Sequence, residues 1–206
     1  MSHDRPRLLR DTEQIRLRRS ELVKPHIKPL ADFAESLRNA AYGEVPDFDP
    51  WDGGTQAKVL FLFEKPGPKA FASGFVSRNN DDRTAENTFR FMEQARIPRE
   101  MTCLWNVVPG WNGTIRVTRH ELKLGGFALK KLLSHLTKLK VVVLVGGRAG
   151  HAWSRLDNPP HLPIVNSPHP SPVVYATARA AWNAIPMQWA SLSKYLKCGS
   201  LHLPLQ

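Results

Sequence analysis

Four short apolar runs constrain this chain most: KVLFLF at residues 58–63, TCLWNVV at 102–108, KVVVLVG at 140–146 and HLPIVN at 161–166. None alternates apolar with polar residues, as a strand with one wet face does. Strands of this kind are buried on both faces, so helices must lie above and below the sheet. The intervening segments supply them. In PHIKPLADFAESLR, Ile27, Leu30, Phe33, Ala34 and Leu37 recur at helical spacing. Thr84 is expected to cap a helix that turns Phe89, Met92 and Ala95 inward. Thr118 and Glu121 predict a capping box for a helix through Leu122, Leu129, Leu132, Leu133 and Leu136. GRAGHAWSRL reads as a short helix, and ATARAAWNAIPMQWASLSKYL as a last one, interrupted or restarted near Pro186. The expected fold is α/β: a three-layer α/β/α domain with a central four-stranded parallel sheet, spanning residues 25–206. Residues 1–24 are polar and basic and read as an arm or loose helix.

Composition narrows the class. The longest aliphatic run, VVVLV, is far short of the roughly 20 residues that span a bilayer. The first residues, MSHDRPRLLRDTEQIRLRR, lack the apolar core of a secretory signal, so the cytoplasm is the expected location. Two cysteines, Cys103 and Cys198, cannot build a four-cysteine metal site, and a disulfide framework does not suit such a chain. Cys103, in MTCLWNVV, reads as a small buried hydrophobe. Lys and Arg number 29 against 18 acids, a net charge of +11. That surplus attracts polyanions, nucleic acid above all.

Ligands of open parallel sheets bind outside the carboxyl ends of the strands. Three unusual segments fall there: FEKPGP after the first strand, NVVPGWNGT after the second and NSPHPSP after the fourth. The prolines of NSPHPSP exclude a helix and stiffen a turn that holds hydrogen-bonding side chains. FEKPGP opens a loop of about 20 residues, EKPGPKAFASGFVSRNNDDR, and loops that long inside a compact domain are usually functional.

Together these segments resemble the uracil-DNA glycosylase superfamily, over roughly residues 55–190. HPSP is similar to the motif of the founding and single-strand-selective branches. EKPGP resembles GEAPG of the thermophilic iron–sulfur branch, and GFVSR resembles its PFVGR. The resemblance implies a monomer that removes uracil from DNA by hydrolysis after flipping the base out. It implies roles for individual residues. His169 would donate to uracil O2 as charge develops on the leaving base. Asn106 would read the uracil edge, donating to O4 and accepting from N3–H. Phe75 would stack on the base, with Phe71 as its alternate, and Lys65, Pro66 and Gly67 would line the pocket. Ser171, beside Pro170, would grip a phosphate. Val173 and Val174 stand where the family carries its minor-groove wedge. Arg148 and Trp111 are further candidates for DNA contact, whereas Trp105 is expected to be packed.

The chain departs from the family in three places. Lys65 occupies the position of the water-activating acid, so that role passes to Glu64, with Asp82 as the alternative and Asn80 as a neutral substitute; Asp81 is in the same loop. Gly67 replaces the tyrosine that bars thymine in the founding branch. The cysteines of the cluster-bearing branch are missing, so no cofactor is expected. Two rival readings stay open: a weakly active relative that grips abasic or damaged DNA, and a nucleotide-binding hydrolase using VGGRAG for phosphate.

Overall fold

The computed structural model describes residues 4–38 and 42–196. Its core is a four-stranded parallel sheet made of β2 (Val59–Phe63), β4 (Thr102–Asn106), β5 (Val141–Val145) and β6 (Ile164–Ser167), in the order β4-β2-β5-β6. Two further short strands, β1 (Asp47–Phe48) and β3 (Phe75–Val76), pair with each other. The helices are α1 (Thr12–Ser20), α2 (Lys28–Arg38), α3 (Pro68–Ser73), α4 (Arg83–Gln94), α5 (Arg119–His135), α6 (Gly147–Trp153), α7 (Pro172–Thr177), α8 (Arg179–Ala190) and α9 (Ser193–Leu196). Among the described residues, no helix is long and apolar enough to cross a membrane.

Register decides which side chains share a face. In parallel pairs, aligned residues point the same way. Leu62 aligns with Trp105, and that face meets α2, where Phe33 packs against Trp105 with ring centroids 6.2 Å apart. Phe61 aligns with Leu104 and Val143 on the opposite face. There Phe61 meets Trp189 of α8 at 4.9 Å, and Phe91 of α4 meets Trp182 at the same separation. The last row of this second face, Phe63, Asn106 and Ser167, lies at the carboxyl edge. The connection from β2 runs to one side of the sheet and that from β5 to the other. Adjacent strands with diverging connections open a crevice at that edge.

Most helices form where expected, and the Thr118–Glu121 capping box is present. Three local readings need correction. Asp82, not Thr84, caps α4, because its side chain accepts from Ala85 N at 2.8 Å. The chain breaks at Ala178, between α7 and α8, and Pro186 sits inside α8. Proline removes one helical bond there, and burial of Ile185 and Trp189 offsets the loss. In YGEVPDFDPWDGG, residues 42–54, Asp47, Asp49 and Asp52 are all buried.

The third concerns the N-terminus. Residues 4–24 pack against the domain, and Arg18 is 0% exposed. Its guanidinium bonds Asp49 through Nη1 and Asn79 Oδ1 through Nη2 at 3.0 Å, and its Cζ lies 3.6 Å from the Trp51 ring centroid. Arg99 bonds Asp49 at 2.6 Å, Asn79 at 2.7 Å and Asp4 at 2.7 Å. Arg78 bonds Asp52 at 3.3 Å and also Thr102. Ser77 Oγ donates to Asp49. Charges can be buried this deeply only when paired. Cys103 is buried, and burial pushes its thiol well above the usual range. Cys198 lies outside the described residues.

Candidate active site

At the carboxyl edge lies a cavity of about 440 Å³. That is within the range of small-molecule sites, roughly 300–1,000 Å³. Its lining includes Phe63, Lys65, Pro66 and Gly67 from the end of β2, Asn106 from β4, and His169 and Ser171 from the turn after β6. The long loop contributes Val76, Ser77, Arg78, Asn80 and Asp82. Segments more than a hundred residues apart thus meet around one space.

The NSPHPSP turn is held from several sides. Trp189 Nε1–H donates to Ser167 Oγ at 2.9 Å, and Ser167 Oγ donates to Pro168 O at 3.0 Å. Asn87 of α4 donates to Pro170 O at 3.0 Å. Gly146 has φ +87°, and a Cβ there would lie 3.4 Å from His169 Cβ. The Phe63 ring stands edge-on to the imidazole, with centroids 5.9 Å apart and planes at 86°. Among the described residues, neither the His169 ring nor the Asn106 amide makes a side-chain hydrogen bond, although Asn106 is only 4% exposed. Both leave their polar atoms for whatever enters. Burial lowers the His169 pKa from its ordinary 6.5, and Glu64 opposes that shift. The ring is therefore neutral at pH 7, with one N–H to donate.

Several expected site residues turn out to be engaged elsewhere. Phe75 is fully buried and outside the cavity lining; the strand alternation that faces Val76 inward turns Phe75 away, toward the Arg19 guanidinium at 5.6 Å. It is core, not a stacking platform. Phe71, its alternate, is half exposed on α3 and also outside the lining. The aromatic wall is Phe63, which the sequence reading absorbed into its strand. Glu64 pairs with Arg148 and does not line the cavity, and Arg148 stays exposed beside it. Asn80 is bonded at both ends of its amide, accepting from Ser73 Oγ at 2.7 Å and donating to Phe75 O at 2.9 Å. Asp81 faces Arg7 and Lys69.

Asp82 remains. It is the one carboxylate among the cavity's lining residues. Burial raises its pKa, opposed by the N–H groups of Ala85 and Thr84 that it caps. Those bonds fix its orientation, and a carboxylate has lone pairs to spare for a water.

The rim is less uniform. Ser171 Oγ caps α7 by accepting from Val174 N at 3.4 Å. Val173 is 68% exposed and Val174 half-buried. Trp111 is half-buried, bridges Glu44 through its main chain and does not line the cavity. Gly67 lines the cavity with nothing within 4 Å of where a Cβ would stand. Among the described residues, no group of three or more His, Cys, Asp or Glu is arranged to hold a metal ion. No protein-family model matches the chain, and no curated protein matches it significantly.

Proposed function

We propose that this chain is a DNA glycosylase that removes uracil from DNA by hydrolysis of the N-glycosidic bond. The observation that carries this reading is the meeting of Asn106, His169 and Phe63 at one cavity, with both polar side chains unspent. The surplus of cations, +11 overall, favours a polyanionic substrate.

In this mechanism the nucleotide leaves the stack and the base enters the cavity beside Phe63. Asn106 donates to O4 and accepts from N3–H; cytosine presents the opposite pattern at that edge and leaves the amide mispaired. The C1′–N1 bond breaks and its electron pair leaves with the base. Neutral His169 donates its N–H to O2, where the charge gathers. Asp82 orients a water whose oxygen adds to C1′, and takes up its proton. Lys65 takes no part as a nucleophile, because its ammonium is held by three acceptors.

The test is cleavage of a labelled oligonucleotide bearing one uracil, single- and double-stranded, in chelator-containing buffer. Wild type is expected to leave alkali-labile sites at uracil. Asn106→Ala and His169→Ala should each lose on the order of 10²–10³ in rate. No base release by concentrated folded protein would sink the proposal. Tight binding to abasic DNA in that case would favour a relative that binds without turnover.

A further inference from the structure

The loop between β4 and α5 presents an apolar side chain that the proposed chemistry does not use. Ile115 is 74% exposed and lines the cavity mouth. A single exposed isoleucine is unremarkable. This one differs in how its loop is held.

Lys65, directly after β2, reaches across to that loop. Its side chain is only 3% exposed, and Nζ donates to Asn112 Oδ1 at 2.7 Å, Arg116 O at 3.1 Å and Glu121 Oε1 at 2.7 Å. Glu121 Oε1 also accepts from Asn112 Nδ2 at 3.1 Å, while its Oε2 accepts from Thr118 N at 2.7 Å. One ammonium and one carboxylate thus fasten both sides of Ile115. Ordering a loop costs conformational entropy, and here it leaves an aliphatic side chain in water at the mouth of the cavity. Arg116 and Arg119, both exposed, follow it in sequence. Val173 is two residues beyond Ser171, which lines the same cavity.

We propose that Ile115 is a second apolar wedge, which packs against the bases beside an extruded nucleotide, and that the Lys65–Glu121 clasp is the positioning device that holds it. The inference rests on the DNA reading above. The base stack is the occupant because it is the apolar surface that a cationic protein meets between phosphates. It also gives Lys65, at the position where the resemblance implies an acid, a function outside the chemistry.

The test needs no catalysis. Wild type, Ile115→Ala, Ile115→Leu and Glu121→Gln would be titrated onto a duplex with a tetrahydrofuran abasic site flanked by 2-aminopurine, and onto the corresponding single strand. Ile115→Ala is expected to weaken duplex binding about tenfold and to lose the rise in 2-aminopurine fluorescence. Single-strand binding should stay within about twofold, Ile115→Leu should restore both signals, and Glu121→Gln should lose part of the fluorescence rise. The inference fails if Ile115→Ala matches wild type, or if it weakens single-strand binding equally. Wild type that excises no uracil but shows the Ile115-dependent signal would overturn the chemistry and keep the wedge. Wild type that ignores both DNAs would overturn the two together.

Discussion

Replacing Asp49 with alanine would remove the central acceptor of the buried charge cluster. Asp49 Oδ2 accepts from Arg99 Nη2 at 2.6 Å and from Arg18 and Ser77, and Oδ1 accepts from Trp51 N at 3.0 Å. Burial alone would raise its pKa; Arg99, Arg18, Ser77 and Trp51 overcome that and bring it from 3.8 to about 2. The difference corresponds to about 2 kcal/mol of stability. Truncation costs more than this linkage, because Arg18 and Arg99 would remain buried with one carboxylate fewer. Breaking a buried pair by removing one partner costs about 3–5 kcal/mol. That is the loss expected for Asp49→Ala in urea denaturation at neutral pH.

The pH dependence has a definite sign. The folded pKa lies below the unfolded one, so this contribution is full above about pH 4 and is lost as pH falls toward about 2. The gap between wild type and variant should therefore narrow by roughly 2 kcal/mol as pH falls from about 5 toward 2. Asp49→Leu combined with Arg18→Met should recover part of the loss. A cost under about 1 kcal/mol, or a gap that does not narrow in acid, would refute the account of the cluster. Ser77 and Asn79 hang from it and belong to the loop that lines the cavity, so Asp49→Ala should also slow uracil excision at temperatures where it remains folded.

Other consequences are simpler to test. Phe75→Leu should cost about 1 kcal/mol in urea denaturation and leave KM for uracil-containing DNA unchanged, since the ring is core. Gly146→Ala should lower Tm, because φ +87° disfavours a side chain, while the new Cβ would meet His169 only at ordinary contact distance. The excision rate should fall in acid as Asp82 protonates, at a pH above its ordinary 3.8, and show no step between pH 6.5 and 8, where His169 stays neutral. Asp82→Asn should lose on the order of 10²-fold or more and flatten the acid limb.

The sheet was legible because its signal is local and repeated. VLFLF and VVVLV are apolar at every position and TCLWN at its three central ones, and a parallel sheet covered by helices buries both faces of each. The placement of Asn106 and His169 followed from topology, since strand ends of a parallel sheet share one edge. The aromatic wall did not follow. Choosing Phe63 over Phe75 depends on which face each turns, and that depends on the register Phe63↔Asn106 and on a two-residue strand at 75–76. The charge cluster carried no signal at all. Arg18 sits among other arginines in α1, and nothing local marks the one that enters the core.

Lys65 shows why a position and its chemistry separate. Motif position suggested a failed acid beside a surviving one, Glu64. Their partners decide otherwise. Lys65 is taken up by Glu121 of α5, and Glu64 by Arg148 of α6, so each is neutralised by an element more than fifty residues away. Such pairings are set by where helices dock on the sheet, not by spacing along one loop. Asp82 is left facing the cavity because its cap bonds come from its own helix and cost it no charged partner. A carboxylate moved from motif one to the start of α4 could still reach the same space, and the Asp82→Asn pH profile would tell whether it does.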